Sequence, residues 1–173
     1  YLRIDTIEQA IRDFGALAQD VGRSEYVVAN ELALSNLRFG STVIVDLLTQ
    51  YSKAESMGDI ATRSGAPLVN IQVICSDKHE HQRRVETRKI DIPGLTPPTW
   101  QCVLDHEYEA WESAPFKTDT ALTSPAQAVA MITERFLFKE SASFTPEVEG
   151  VISGRLLFFG ANGQWLKVRK MLE

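Results

Sequence analysis

Cysteine is scarce in this sequence: Cys75 and Cys102 are the two in 173 residues, and they form no CxxC motif. That removes a disulfide framework and a paired-thiol redox motif, and a reduced, cytoplasmic setting is the simplest expectation. Histidine adds no metal site. His79 and His81 stand two apart and do not share a helical face, and together with His106 and the cysteines they match no zinc spacing. No apolar run approaches the length that crosses a bilayer. Positive charge is not in excess either. The net charge of −5 argues against broad binding to nucleic acid or to an anionic membrane. Repeats and low-complexity segments are absent. The chain opens on Tyr1-Leu2-Arg3-Ile4 rather than Met, which reads as a strand already under way, with the expectation that its start lies upstream.

What remains is ordinary globular composition, 44% hydrophobic and 24% charged, in a chain long enough for one sizeable core. Tyr1 to Ile4 reads as a strand end. Asp5 or Thr6 then caps a helix, with Glu8 or Gln9 completing a capping box and Gly15 stopping it. A second helix runs from about Ser24 to Arg38, with an apolar face of Val27, Val28, Leu32, Leu34 and Leu37, and stops at Gly40. Thr42 to Val45 is a short β-branched strand ending at Asp46. Ser52 and Glu55 open a third helix, which Gly65 ends. Leu68 to Cys75 is a continuous apolar run and reads as a buried parallel strand. A polar helix carrying Arg84 and Arg88 follows, then a loop from Asp91 to Pro98, then a helix from Trp100 to Trp111. Its stripe of Trp100, Val103, Leu104, Tyr108 and Trp111 reads as core. Phe116 to Thr118 is a short strand. Ser124, Pro125 and Gln127 begin the next helix, with Val129, Ile132 and Phe136 as its stripe.

Alternation of this kind predicts an α/β fold, a parallel sheet with helices on both faces. Ligands then bind beyond the carboxyl ends of the strands. Asp5, Asp46, Asp77 and Asp119 all follow strands, so polar groups collect on one rim.

The stretches VICSD, RRVETR, DIPGLTPPTW and EYEAW between Val73 and Trp111 carry a resemblance. So do YLRIDTIEQAIRD, LALSNLRFGSTVIVD and KTDTALTSPAQAVAMI. Over roughly residues 1 to 138 the sequence resembles the small P-loop kinases of the AAA-type ATPase group, relatives of chloramphenicol phosphotransferase and zeta-toxin kinases. The resemblance implies a P-loop NTPase-like three-layer sandwich and an ATP- and Mg²⁺-dependent phosphotransferase acting on a small-molecule hydroxyl.

It also implies roles. Asp5 would contact the acceptor hydroxyl and act as general base, where the residues alone also allow a helix cap. Asp46 would order Mg²⁺, where they also allow a turn-starting Asp. Leu47, Leu48, Thr49 and Gln50 depart from the small polar residue and Asn-Pro that commonly follow this acid. Arg84 and Arg88 would be lid arginines that stabilise charge and hold phosphate, with Arg83 pointing elsewhere; the plain alternative is a solvated helix with Glu80–Arg84 support. Asp119 would touch the nucleotide or cap a turn.

The family's GxxxxGK[ST] loop does not occur in this sequence. The expectation is a truncated kinase whose central strand and phosphate loop lie upstream; the alternative is a non-catalytic relative kept as a binding or interaction module. Gly160-Ala161-Asn162-Gly163 is a poor substitute, since Lys167 is at the wrong spacing. Residues 139–173 fall outside the resemblance. Ser141 to Glu149 reads as a linker. Arg155 to Phe159 and Gln164 to Val168 read as a β-hairpin around Asn-Gly. The other possibility is that Arg155 to Phe159 fill the gap left by the missing central strand.

Overall fold

The computed structural model describes residues 1–15, 24–48, 57–106, 116–137 and 155–161. It is an α/β fold built on one five-stranded, wholly parallel sheet. The strands are β1 (Leu2–Arg3), β2 (Val43–Leu48), β3 (Leu68–Ile74), β4 (Phe116–Asp119) and β5 (Leu156–Ala161). Their spatial order is β1-β2-β5-β3-β4. The helices are α1 (Ile4–Phe14), α2 (Ser24–Arg38), α3 (Met57–Ser64), α4 (Lys78–Thr87), α5 (Trp100–Asp105) and α6 (Pro125–Ile132), the last running into a π-helical turn, Thr133–Leu137.

The C-terminal strand β5 lies in the middle of the sheet. It pairs with β2 from Val43↔Leu156 to Leu48↔Ala161 and with β3 from Leu68↔Leu156 to Val73↔Ala161. This corrects the expected hairpin and fills the expected gap. A hairpin partner needs a vacant edge on β5, and both edges are taken over the same residues. The expected second hairpin strand, Gln164 to Val168, lies outside the described residues, as do Ser52 and Glu55, Tyr108 and Trp111, and the linker.

Each face of the sheet has its own core. Val43, Val45 and Leu47 of β2 point to one side, where they join Ile4 of α1, Ala29, Ala33, Leu34 and Leu37 of α2, and Ile60 and Ala61 of α3. On the other side Ile71, Val73 and Leu157 are buried with Ala128 and Ile132 of α6, and Ile44, Val69, Val129 and Phe136 pack against them. The period of two along each strand puts helices on both faces, as expected.

Local signals fixed several element ends. Ser124 accepts from the Gln127 backbone N–H while the Gln127 side chain accepts from the Ser124 N–H, a complete capping box with Pro125 at the first helical position. Gly15 ends α1 with φ of 69°, a region that favours glycine.

Three expectations need correction. The buried face of α2 is Ala29, Asn30, Ala33, Leu34 and Leu37; Val27, Val28 and Leu32 are 41–47% exposed. Two alanines one turn apart let the helix approach the sheet closely, and only that stripe keeps the helical period. Helix α5 stops at Asp105, because His106 is extended, and its described residues are partly exposed rather than core. Strand β2 continues past Asp46 to Leu48, because β5 supplies a ladder partner that far.

Candidate functional site

All five strands run the same way, so their carboxyl ends share one rim. At the β1 side the register sets Arg3 beside Asp46 of β2, level with Phe159, Ile71 and Phe116 and three residues before Ile74 and Asp119. Helix α1 starts at once, with Arg3 as its N-cap and no side-chain cap. Asp5 is therefore not the cap that the sequence allowed. It sits in the first turn, 9% exposed, and its Oδ2 accepts no hydrogen bond among the described residues. The expected capping box does not form either. Glu8 accepts from Arg12, and Gln9 donates to Asp13 at 2.7 Å.

Around Asp5 the charges alternate. The Arg3 Nε lies 3.7 Å from Asp5 Oδ2, and Arg3 Nη1 donates to Asp91 Oδ1 at 3.0 Å. The Tyr1 hydroxyl donates to Asp46 Oδ2 at 2.7 Å. Half-buried Arg88 is attracted by Asp5 and Asp91 and repelled by Arg3.

Burial pushes the Asp5 carboxyl up to about 7; Asp46 and Glu8 add to this, and Arg3 and Arg88 oppose it. Burial pushes Asp46 up to about 6, against the Tyr1 hydrogen bond and the charge of Arg3. Two carboxyls of raised pKa beside two guanidiniums can exchange a proton near neutral pH, a property concentrated at functional sites.

Arg84 and Arg88 do not act as a pair. Arg84 donates from Nε to Glu80 at 2.6 Å, from Nη1 to the Thr120 hydroxyl at 3.0 Å and from Nη2 to the Thr120 carbonyl at 3.2 Å. Thr120 in turn donates to the Ile74 carbonyl at 3.0 Å. Arg84 thus fastens α4 to the ends of β3 and β4. Arg88 follows the last helical residue with ψ of 142°, so the i,i+4 alignment fails and its side chain reaches the Asp5 side. Arg83 shares Glu80 and points outward, as expected.

Asp77 caps α4 by accepting from the His79 and Glu80 N–H groups. Asp119 Oδ1 accepts from the Ser76 and Ala121 N–H groups, both at 3.0 Å, so it caps this turn. Asp77 and Asp119 thus bond to backbone N–H groups beyond β3 and β4, while Asp5 and Asp46 lie beside Arg3 at β1 and β2.

Residues 78–95 form a strap across this rim. The strap starts after β3 and ends against β1, three strand spacings away, or roughly 14 Å. Its far end is held by the Arg3–Asp91 pair, by Ile92 at 8% exposure and by Gly94 against α1. Gly94 has φ of 81°, and a Cβ there would meet Gln9 Nε2 at 2.9 Å. The Gln9 amide can swing aside, so the backbone term decides. Gly94→Ala is expected to cost about 1–2 kcal/mol and to loosen this end of the strap, read as a lower Tm and faster amide exchange at 91–95.

Sequence reasoning pointed to Asp5, Asp46 and Arg88 but missed Tyr1, Arg3 and Asp91. Their roles come from β1–β2 pairing and from the docking of a loop 88 residues away from Arg3. The DIPG string marked that loop without giving Asp91 a partner. Among the described residues no group of three His, Cys, Asp or Glu is placed to hold a metal, and no helix is long and apolar enough to cross a membrane.

No family model, no curated protein and no solved structure matches this chain.

Proposed function

We propose that the rim cluster is the acceptor side of an ATP- and Mg²⁺-dependent phosphotransferase site on a P-loop NTPase-like sandwich, with a small-molecule hydroxyl as acceptor. The observation that carries this reading is the buried Asp5, with a hydrogen-bond-free Oδ2, beside Asp46, Arg3 and Arg88 on the carboxyl rim of a parallel sheet. Asp5 takes the proton of the acceptor hydroxyl, and burial has already raised its basicity toward neutral pH. Arg88 faces the negative charge that gathers at the reacting oxygens. Arg84 holds the strap, and with it Arg88, in place.

The hard carboxylate oxygens of Asp46 suit a magnesium ion that keeps several waters; Asp46 would hold the ion, which would supply charge neutralisation. The nucleotide triphosphate fits less well. The sequence carries no GxxxxGK[ST] string.

The seating of β5 between β2 and β3 favours the second reading, a non-catalytic relative that serves as a binding module. The two readings separate in one titration. MgATP is titrated into this chain and into a version with a GxxxxGK[ST]-bearing strand joined ahead of Tyr1. Binding by the lengthened chain, with transfer to a hydroxyl acceptor, supports the enzyme. No binding by either chain leaves the module.

A further inference from the structure

We propose that the apolar face shared by α1 and α2 is the surface on which two copies of this chain associate across a two-fold axis. The inference concerns the far side of α1 from the rim and does not depend on phosphoryl transfer.

The two helices point to it by what they leave uncovered. Helix α1 buries Ile4, Asp5 and Gln9. Its apolar stripe of Ile7, Ala10, Ile11 and Phe14 keeps the helical period, yet Ile7 and Ile11 are half-buried, Ala10 is exposed and Phe14 is 83% exposed. Helix α2 repeats the pattern. Its buried side holds Ala29, Ala33 and Leu37, while Val27, Val28 and Leu32 stay exposed. The two uncovered stripes meet along a groove of about 600 Å³, lined by the α1 stripe on one wall and by Ser24 and Val28 on the other. Val27 and Leu32 extend the apolar surface along α2. Residues 16–23 join the helices beyond Phe14 and Ser24 and lie outside the described residues.

Area and charge together choose a second copy as the occupant. The uncovered parts of these side chains amount to roughly 500 Å² of apolar surface, near the top of what a monomer leaves bare. Two such patches face to face bury roughly 1,000 Å², enough for a specific but weak pair. A two-fold contact sets a patch against itself, so flanks of one sign would repel. Here each helix carries an acid with a base. Arg12 meets Glu8 at 2.6 Å beside the α1 stripe, and Arg63 of α3 meets Glu31 of α2 at 3.6 Å. Asp13 accepts from Gln9 on the other flank of α1. The patch thus carries little of the net charge of −5 that keeps copies apart elsewhere, and it offers a strongly basic or acidic partner no complementary excess. Two helices from each copy then pack as four, an arrangement that covers both pairs of stripes.

Sedimentation velocity is run on the full chain from about 5 to about 500 μM, with amide exchange at both ends of the range. The chain should pass from monomer to dimer with a Kd of about 10–100 μM, and exchange over 4–14 and 24–38 should slow as it does. Phe14→Lys and Val28→Glu each put a charge in the contact and should weaken association at least about tenfold. Both replace exposed side chains, so at about 5 μM, where the chain is monomeric, they should melt like the parent. Leu122→Glu alters a side chain of similar exposure, 81%, in the turn after β4, and should associate as the parent does. The proposal is overturned if the parent stays monomeric to the top of the range, if both groove variants associate like the parent, or if Leu122→Glu weakens association as much as they do. A monomeric parent whose Tm falls in Phe14→Lys and Val28→Glu would mean that the chain covers the groove from within, in place of a second copy.

Discussion

Cutting the chain after Lys139 should abolish cooperative unfolding, because it removes the strand on which both halves of the sheet close. With β5 gone, β1 and β2 form one parallel pair and β3 and β4 another, with nothing between them. Two-stranded pieces are marginal in water, and a parallel pair is weaker than an antiparallel one. The loss includes the ladder on both sides of β5 and the side chain of Leu157, which is 2% exposed in the core under α6. Leu157→Ala alone is expected to cost about 2–5 kcal/mol, against a total of about 5–15 for a domain of this size. The checks are thermal and denaturant melts by circular dichroism on residues 1–139 and on Leu157→Ala. An unchanged melting curve for the truncated chain would show that β5 does not close the sheet in solution.

The same strand shows where sequence reading reached its limit. Helix α2 runs from Ser24 to Arg38 and α6 starts behind a Ser124 cap, both as the sequence predicts, because caps, glycine stops and period are written within a few residues. The partner of Leu156 to Ala161 is not local. An apolar run followed by Asn-Gly satisfies a hairpin rule, while the same run satisfies the slot between Val43–Leu48 and Leu68–Ile74 on two sides at once. Tertiary pairing outweighs the turn signal, since a central strand completes two ladders and a hairpin strand one.

The rim divides in the same way. Strand ends told which acids share an edge, because every strand is parallel. They did not tell that Asp119 Oδ1 would accept from the Ser76 and Ala121 N–H groups, or that Arg88 would leave the helix and part from Arg84. The Arg3–Asp91 contact joins residues that only the docked strap brings together.

Asp5 should carry the clearest conflict between stability and function. Its carboxyl lies near 7 in the fold against an ordinary 3.8, so between those values the folded chain holds a proton that the unfolded chain releases. Stability must then fall as pH rises from about 4 to about 7, and the loss is complete above the folded value. The gap corresponds to roughly 4 kcal/mol for an isolated group, and Asp46, at about 6, adds to the same trend. Asp5→Asn replaces the buried charge by a neutral side chain of the same shape. The variant should therefore be more stable than the parent by about 2–4 kcal/mol at pH 8 and nearly equal to it at pH 4. If Asp5 is the base of a phosphotransferase, the same substitution lowers transfer by about 10²- to 10⁴-fold in a chain able to bind nucleotide. Denaturant melts at the two pH values test the first statement without any assay of activity. A variant less stable than the parent at pH 8 would mean that Arg3 and Arg88 more than repay the burial of the Asp5 charge. The residue would then belong to the framework of the rim rather than to its chemistry.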